Sequence, residues 1–152
     1  PDMGSDARLS CSSSGHAWLS TLGEDAALAL VAQQGVGQPE DYGPQAPATL
    51  AEVMAAVQAT RERGYSLTLE TYTPGLNAMA APVRFTGQPA IGVISIAGPT
   101  VRFTLERMQA LGEELMSVAA QLAAASGASP FFAKSSQSLS ATAAGRKPIY
   151  AP

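Results

Sequence analysis

Cysteine occurs once in this 152-residue chain, at Cys11, so no internal disulfide can form and a reducing compartment fits. Histidine also occurs once, at His16. With one imidazole and one thiol, a metal site or a serine–histidine–acid triad has little support. No run of ~18 apolar residues is present, so no segment reads as a membrane-spanning helix. Pro1-Asp2-Met3-Gly4-Ser5-Asp6 lacks the apolar stretch of a secretion signal, and the chain reads as a cytoplasmic module. Pro1 precedes Met3, so the start reads as mid-protein sequence. Charged residues make up only 14% of the chain, for a net charge of −3. They are segregated: residues 1–70 carry nine acids against Arg8, Arg61 and Arg63, and residues 71–152 carry six bases against Glu106, Glu113 and Glu114. Neither half holds the clustered Lys and Arg that phosphate neutralisation needs, so direct nucleic-acid binding by this segment is not expected.

What is present suffices for one domain. The length suits a single core, and 46% hydrophobic residues can build it. Ser12-Ser13-Ser14-Gly15 precedes His16-Ala17-Trp18-Leu19 and can cap a short helix that ends by Gly23. A second helix starts at Glu24 and Asp25, where acids suit the positive end of the helix dipole, and stops at Gly35. Gly37 to Pro47 reads as a loop. Thr49 and Glu52 form a capping-box pattern ahead of a helix with Leu50, Val53, Met54 and Val57 on one face and a stop at Gly64.

The period then changes to two. Tyr65, Leu67 and Leu69 alternate with Ser66, Thr68 and Glu70, as in a half-buried strand. Thr73-Pro74-Gly75 is a turn. Leu76–Arg84 and Ala90–Ala97 read as strands of a hairpin about Thr86-Gly87. Ile91 to Ile96 is apolar on both faces, which predicts a central strand with Ser95 buried. Closing the hairpin at residues 84 and 89 would set Ala78 opposite Ser95. Thr104 caps the longest helix, with Leu105, Met108, Leu111, Leu115, Val118 and Leu122 as its apolar stripe and Gly127 as its end. Residues 128–152, rich in Ser, Ala, Gly and Pro, read as an extended or disordered tail. The order predicts an α+β domain, helices against an antiparallel sheet; three strands are few for such a core, so either further strands lie outside this sequence or a partner chain completes the sheet.

Three stretches in this order resemble the effector-binding domain of IclR-type transcription regulators. They are Arg8-Leu9-Ser10-Cys11-Ser12-Ser13-Ser14-Gly15-His16-Ala17-Trp18-Leu19; Arg61-Glu62-Arg63-Gly64-Tyr65 with Pro74-Gly75-Leu76-Asn77-Ala78-Met79-Ala80-Ala81-Pro82-Val83; and Val93-Ile94-Ser95-Ile96-Ala97-Gly98-Pro99-Thr100 with Arg102-Phe103-Thr104-Leu105-Glu106-Arg107. The resemblance implies a GAF-like antiparallel sheet with helices on one side and a ligand pocket on the other. It implies that the family's first strands, and a winged helix-turn-helix domain that binds DNA, precede residue 1. Residues 1–127 would then be a partial effector domain and 128–152 a tail. Partners implied are a small organic acid and further copies of the chain, as dimer or tetramer. DNA is reached only through the missing domain, and neither a cofactor nor a membrane is involved.

The same resemblance assigns the pocket to Ser13, Ser14 and Gly15 at the first helix start, and to Thr68, Ala78, Ser95 and Ala97 on the strands. An acid often stands at the position of Thr68, a cysteine at Ala78 and a serine at Ala97. These departures make the pocket roomier and more apolar, which points to an aromatic or partly apolar acid rather than a small polar one. The helix start would offer backbone N–H groups to an anion. Two other readings stand beside this one: an oligomerisation module whose pocket is packed with side chains, and a small hydrolase using Ser14 or Ser95 with His16. The first reading is not an enzyme.

Overall fold

The computed structural model describes residues 7–127; the tail expected at 128–152 lies outside the described residues. Helix α1 (Ser13–Leu19) begins where Ser12 turns extended backbone into helix. The Ser12 hydroxyl accepts from the Gly15 amide at 3.0 Å and donates to the Arg8 carbonyl at 2.6 Å. Helix α2 (Glu24–Gln34) follows, then a single 3-10 turn at Pro39–Asp41, then α3 (Leu50–Arg63). Both arms of the Thr49–Glu52 capping box are made, worth about 1 kcal/mol of helix stability. Gly64 ends α3 at φ 90°, a conformation glycine adopts without side-chain penalty.

Strands β1 (Ser66–Leu69), β2 (Leu76–Val83) and β3 (Gly92–Pro99) form an antiparallel sheet in the order β1-β2-β3. The β2–β3 loop is longer than the tight hairpin expected from sequence. Val83 pairs with Gly92, and a turn at Phe85–Gln88 with Gly87 at φ 74° lies between. Every β3 partner therefore moves by two residues: Ala78 stands opposite Ala97, and Ser95 opposite Ala80. A slip of two keeps each side chain on its expected face. The second correction is larger. β3 is an edge strand among the described residues, so its apolar run is not sandwiched; Ile96 is 38% exposed and Ser95 is exposed.

The two sheet faces carry different layers. Met79, Ala81 and Val83 meet Phe103, Met108, Leu115, Ala119 and Ala123 in the main core. Those residues come from α4 (Leu105–Ala110), α5 (Gly112–Ser126) and the approach to them. The single long helix expected from the stripe is two helices, broken at Leu111. Gly112 packs so closely on Tyr65 that an added Cβ would lie 2.4 Å from the ring. The buried line runs through Met108, Gly112, Leu115, Ala119 and Ala123, so small residues carry the contact while Leu105 and Leu122 stay exposed.

Helices were expected on one face, and α4 and α5 satisfy that. The opposite face is crossed by α1, which the Ser66 hydroxyl ties down by donating to the Ser13 carbonyl at 2.8 Å. Ser66 and Thr68 are consequently the fully covered residues of β1, while Leu67 and Leu69 are half-buried. Behind α1 a smaller core joins Leu19, Ala27, Val31, Val53 and Val57 of α1, α2 and α3.

Candidate functional site

Alternation along a strand sends every second residue to the same face. On the α1 side, one cross-strand row is Thr68–Ala78–Ala97 and the next is Ser66–Ala80–Ser95. α1 is tied to the Ser66 end of the second row and starts beside the first. A cavity of about 220 Å³ remains between the helix start and the sheet. Ser12, Ser13 and Ser14 line it from the helix side, and Thr68, Ala78 and Ala97 from the sheet. Leu76 and the turn residues Tyr72 and Thr73 complete the lining.

The floor is two methyl groups and the rim is hydroxyls. No charged side chain lines the cavity among the described residues. The hydroxyl protons are unequally available. Thr68 donates to the Ala78 carbonyl at 2.9 Å and Ser12 to the Arg8 carbonyl at 2.6 Å, so both face a guest as acceptors. Ser13, Ser14, Thr73 and Tyr72 carry the hydroxyl donors that remain. This set suits an organic guest with an apolar body and a polar end that several hydroxyls can share.

Tyr72 sits on the β1–β2 turn, which is held from both sides. The Glu70 carboxylate accepts from the Gly75 amide at 2.7 Å, and the Thr71 hydroxyl donates to the Cys11 carbonyl. The amides of Gly43 and Gln45 donate to the carbonyls of Thr71 and Glu70, both at 3.3 Å. The Tyr72 ring stacks on Tyr42 with centroids 6.0 Å apart, and the Arg8 guanidinium lies 5.9 Å from the Tyr42 centroid.

The family profile described as "Bacterial transcriptional regulator IclR C-terminal" matches residues 2–124. The chain belongs to the IclR family. Among curated IclR relatives, the transcriptional repressor AllR of Escherichia coli K12 is 28% identical over 125 residues, covering 82% of this chain and 45% of that protein. AllR of Salmonella typhi is 28% identical over 128 residues, covering 84% and 46%. The chain thus spans about half the length of the curated relatives it matches. Among solved structures, the Agobacterium tumefaciens repressor BlcR aligns with a TM-score of 0.65 at 27% identity, over 76% of this chain and 46% of that one. The C-terminal domain of Escherichia coli KdgR aligns with a TM-score of 0.66 at 23% identity, over 76% and 69%, which speaks for the fold. AllR, BlcR and KdgR are all transcription regulators.

Of the positions that the IclR resemblance assigns, Ser13, Ser14, Thr68, Ala78 and Ala97 meet at one cavity. Gly15 and Ser95 do not. Gly15 is buried with its amide bonded to Ser12, and an added Cβ would lie 2.7 Å from the Leu9 Cα, so its smallness serves packing. Ser95 lines a separate groove at the sheet edge with Ile94, Ile96, Leu111 and Leu115. The expected burial of Ser95 fails because β3 has no outer neighbour among the described residues. His16 is buried, and its Nε2 donates to the Ser10 carbonyl at 2.9 Å rather than facing a serine hydroxyl. Burial depresses its pKa, opposed by that hydrogen bond. Cys11 is buried as well, and burial pushes its thiol up, opposed by Ser10 and the Arg8 charge. Sequence reading missed Tyr72, Thr73 and Leu76, and weighed Ser12 only as part of the Ser12–Gly15 helix start. The only signal for Tyr72 was its place next to the Thr73-Pro74-Gly75 turn.

Proposed function

We propose that this domain is the effector sensor of an IclR-type regulator, and that the α1–sheet cavity seats an organic acid with an aromatic or largely apolar body. The observation that carries this reading is an open space of about 220 Å³ with a methyl floor and a hydroxyl rim. A carboxylate accepts charge-assisted hydrogen bonds from Ser13, Ser14 and Thr73, and the apolar body covers Ala78, Ala97 and Leu76. A domain of the same fold accommodates such a guest elsewhere: a double mutant of the inducer-binding domain of Acinetobacter PobR, with a TM-score of 0.62 and 19% identity, is a complex with 3-hydroxybenzoic acid.

Effector binding favours one arrangement of a dimer or tetramer of the intact protein. That arrangement sets the spacing of winged helix-turn-helix domains and hence DNA affinity. The effector can shift DNA binding only by its differential affinity for the two arrangements. A packed oligomerisation module would need side chains in the space that stands open. The test is a thermal-shift panel of short keto- and hydroxy-acids against benzoate, phenylacetate and hydroxybenzoates. Stabilisation by the aromatic set is expected. Stabilisation by the short polar acids alone would remove the reading.

A further inference from the structure

We infer that Tyr72 is the specificity-determining residue that makes the cavity select an aromatic body over an aliphatic one; this rests on reading the cavity as the effector site. Tyr72 is the one aromatic side chain among the residues that line it. The facing surface is the Ala78–Ala97 methyl floor, which offers contact area but no ring. An aliphatic guest gains from Tyr72 only what any apolar wall gives. An aromatic guest gains offset-stacked or edge-to-face contact in addition, worth roughly three- to ten-fold in affinity.

The ring is also preorganised, which determines how much of that gain survives. Tyr42 stacks on it at 25° between planes, and Arg8 lies over Tyr42. The turn that carries it is pinned by the amides of Gly43 and Gln45 on one side and by the Cys11 carbonyl on the other. Gly43 approaches so closely that an added Cβ would lie 1.6 Å from the Glu70 carbonyl oxygen. Glu70 itself holds φ 49°, an uncommon value for a residue with a side chain, and its carboxylate closes the turn onto Gly75. A wall fixed before binding loses little rotamer freedom on binding, so the aromatic contact is retained as affinity.

The experiment is isothermal titration of the full chain with benzoate and with propanoate, for wild type, Tyr72→Phe, Tyr72→Leu and Tyr72→Ala. Wild type should prefer benzoate. Tyr72→Phe should stay within about two-fold for both acids. Tyr72→Leu keeps apolar bulk without a ring and should lose about five-fold for benzoate with propanoate unchanged; Tyr72→Ala, which removes the wall as well, should lose about ten-fold for benzoate and clearly less for propanoate. Should Tyr72→Ala fail to fold by circular dichroism, the Phe-to-Leu comparison decides alone. Wild type binding benzoate with Leu and Ala variants unchanged overturns the inference and leaves the effector cavity standing. Equal losses for both acids, or a wild-type preference for propanoate, also overturn it. Wild type binding neither acid overturns the cavity reading and the inference together.

Discussion

Replacing Ala78 with leucine adds three carbons at the centre of the Thr68–Ala78–Ala97 row, inside the open space. Each methylene-sized group removed from water is worth about 0.8 kcal/mol, so a leucine that fits adds up to roughly 2 kcal/mol to the unliganded domain. Overpacking strain of about 1–3 kcal/mol opposes this where a site is already full. With about 220 Å³ free, the two terms leave the melting temperature within a few degrees of wild type. The ligand response should differ sharply. An effector at a hundred times its Kd stabilises the native state by about 2.7 kcal/mol, a rise of roughly 10 °C for a domain of this size. Scanning fluorimetry with benzoate should show that rise in wild type and none in Ala78→Leu. A variant that retains the full rise would place the guest elsewhere. A variant that collapses without ligand would mean that the space was not free.

Gly112→Ala forces a methyl group against the Tyr65 ring and should cost about 1–3 kcal/mol, read as a lower urea midpoint with unchanged slope. Gly43→Ala drives a Cβ into the Glu70 backbone and must part the 42–46 loop from the Tyr72 turn; hydrogen exchange at Gly43 and Gln45 should rise well above that of α5. Burial holds the His16 pKa below its unfolded value of about 6.5. Below that pH the unfolded chain binds the extra proton, so stability falls as pH drops through about 6.5 and His16 contributes no slope above it. In His16→Gln, urea melts at pH 7.5 and 5.5 should lose this part of the difference.

Local chemistry was legible in the chain where it is decided locally. Ser12, the Thr49–Glu52 box, Gly64 and Gly75 act through neighbours within a few residues. Face assignment also survived, because a register error of two leaves parity intact, so Ala78 keeps the face it shares with Ser95 and Ala97; the grouping of Thr68 with Ala78 and Ala97 came from the family resemblance. Ser95 failed for a non-local reason. An apolar run on both faces marks a central strand only if a neighbour lies on each side, and sheet order is a property of the whole fold. The helix break at Leu111 was hidden because Gly112 answers to Tyr65, 47 positions away in sequence but adjacent in the core. Tyr72 was missed because it lies in an irregular turn without period, fixed by the distant Tyr42 and Cys11.

Amide and methyl NMR spectra of the full chain titrated with benzoate give the most direct test of where a guest sits. The largest saturable shifts are expected at Ser13, Ser14, Thr68, Ala78 and Ala97, with Ser95, Ile96 and Leu122 unmoved. Shifts confined to Ser95 and the outer edge of β3, or a spectrum that benzoate leaves unchanged, would contradict a sensor built on the α1 side of the sheet.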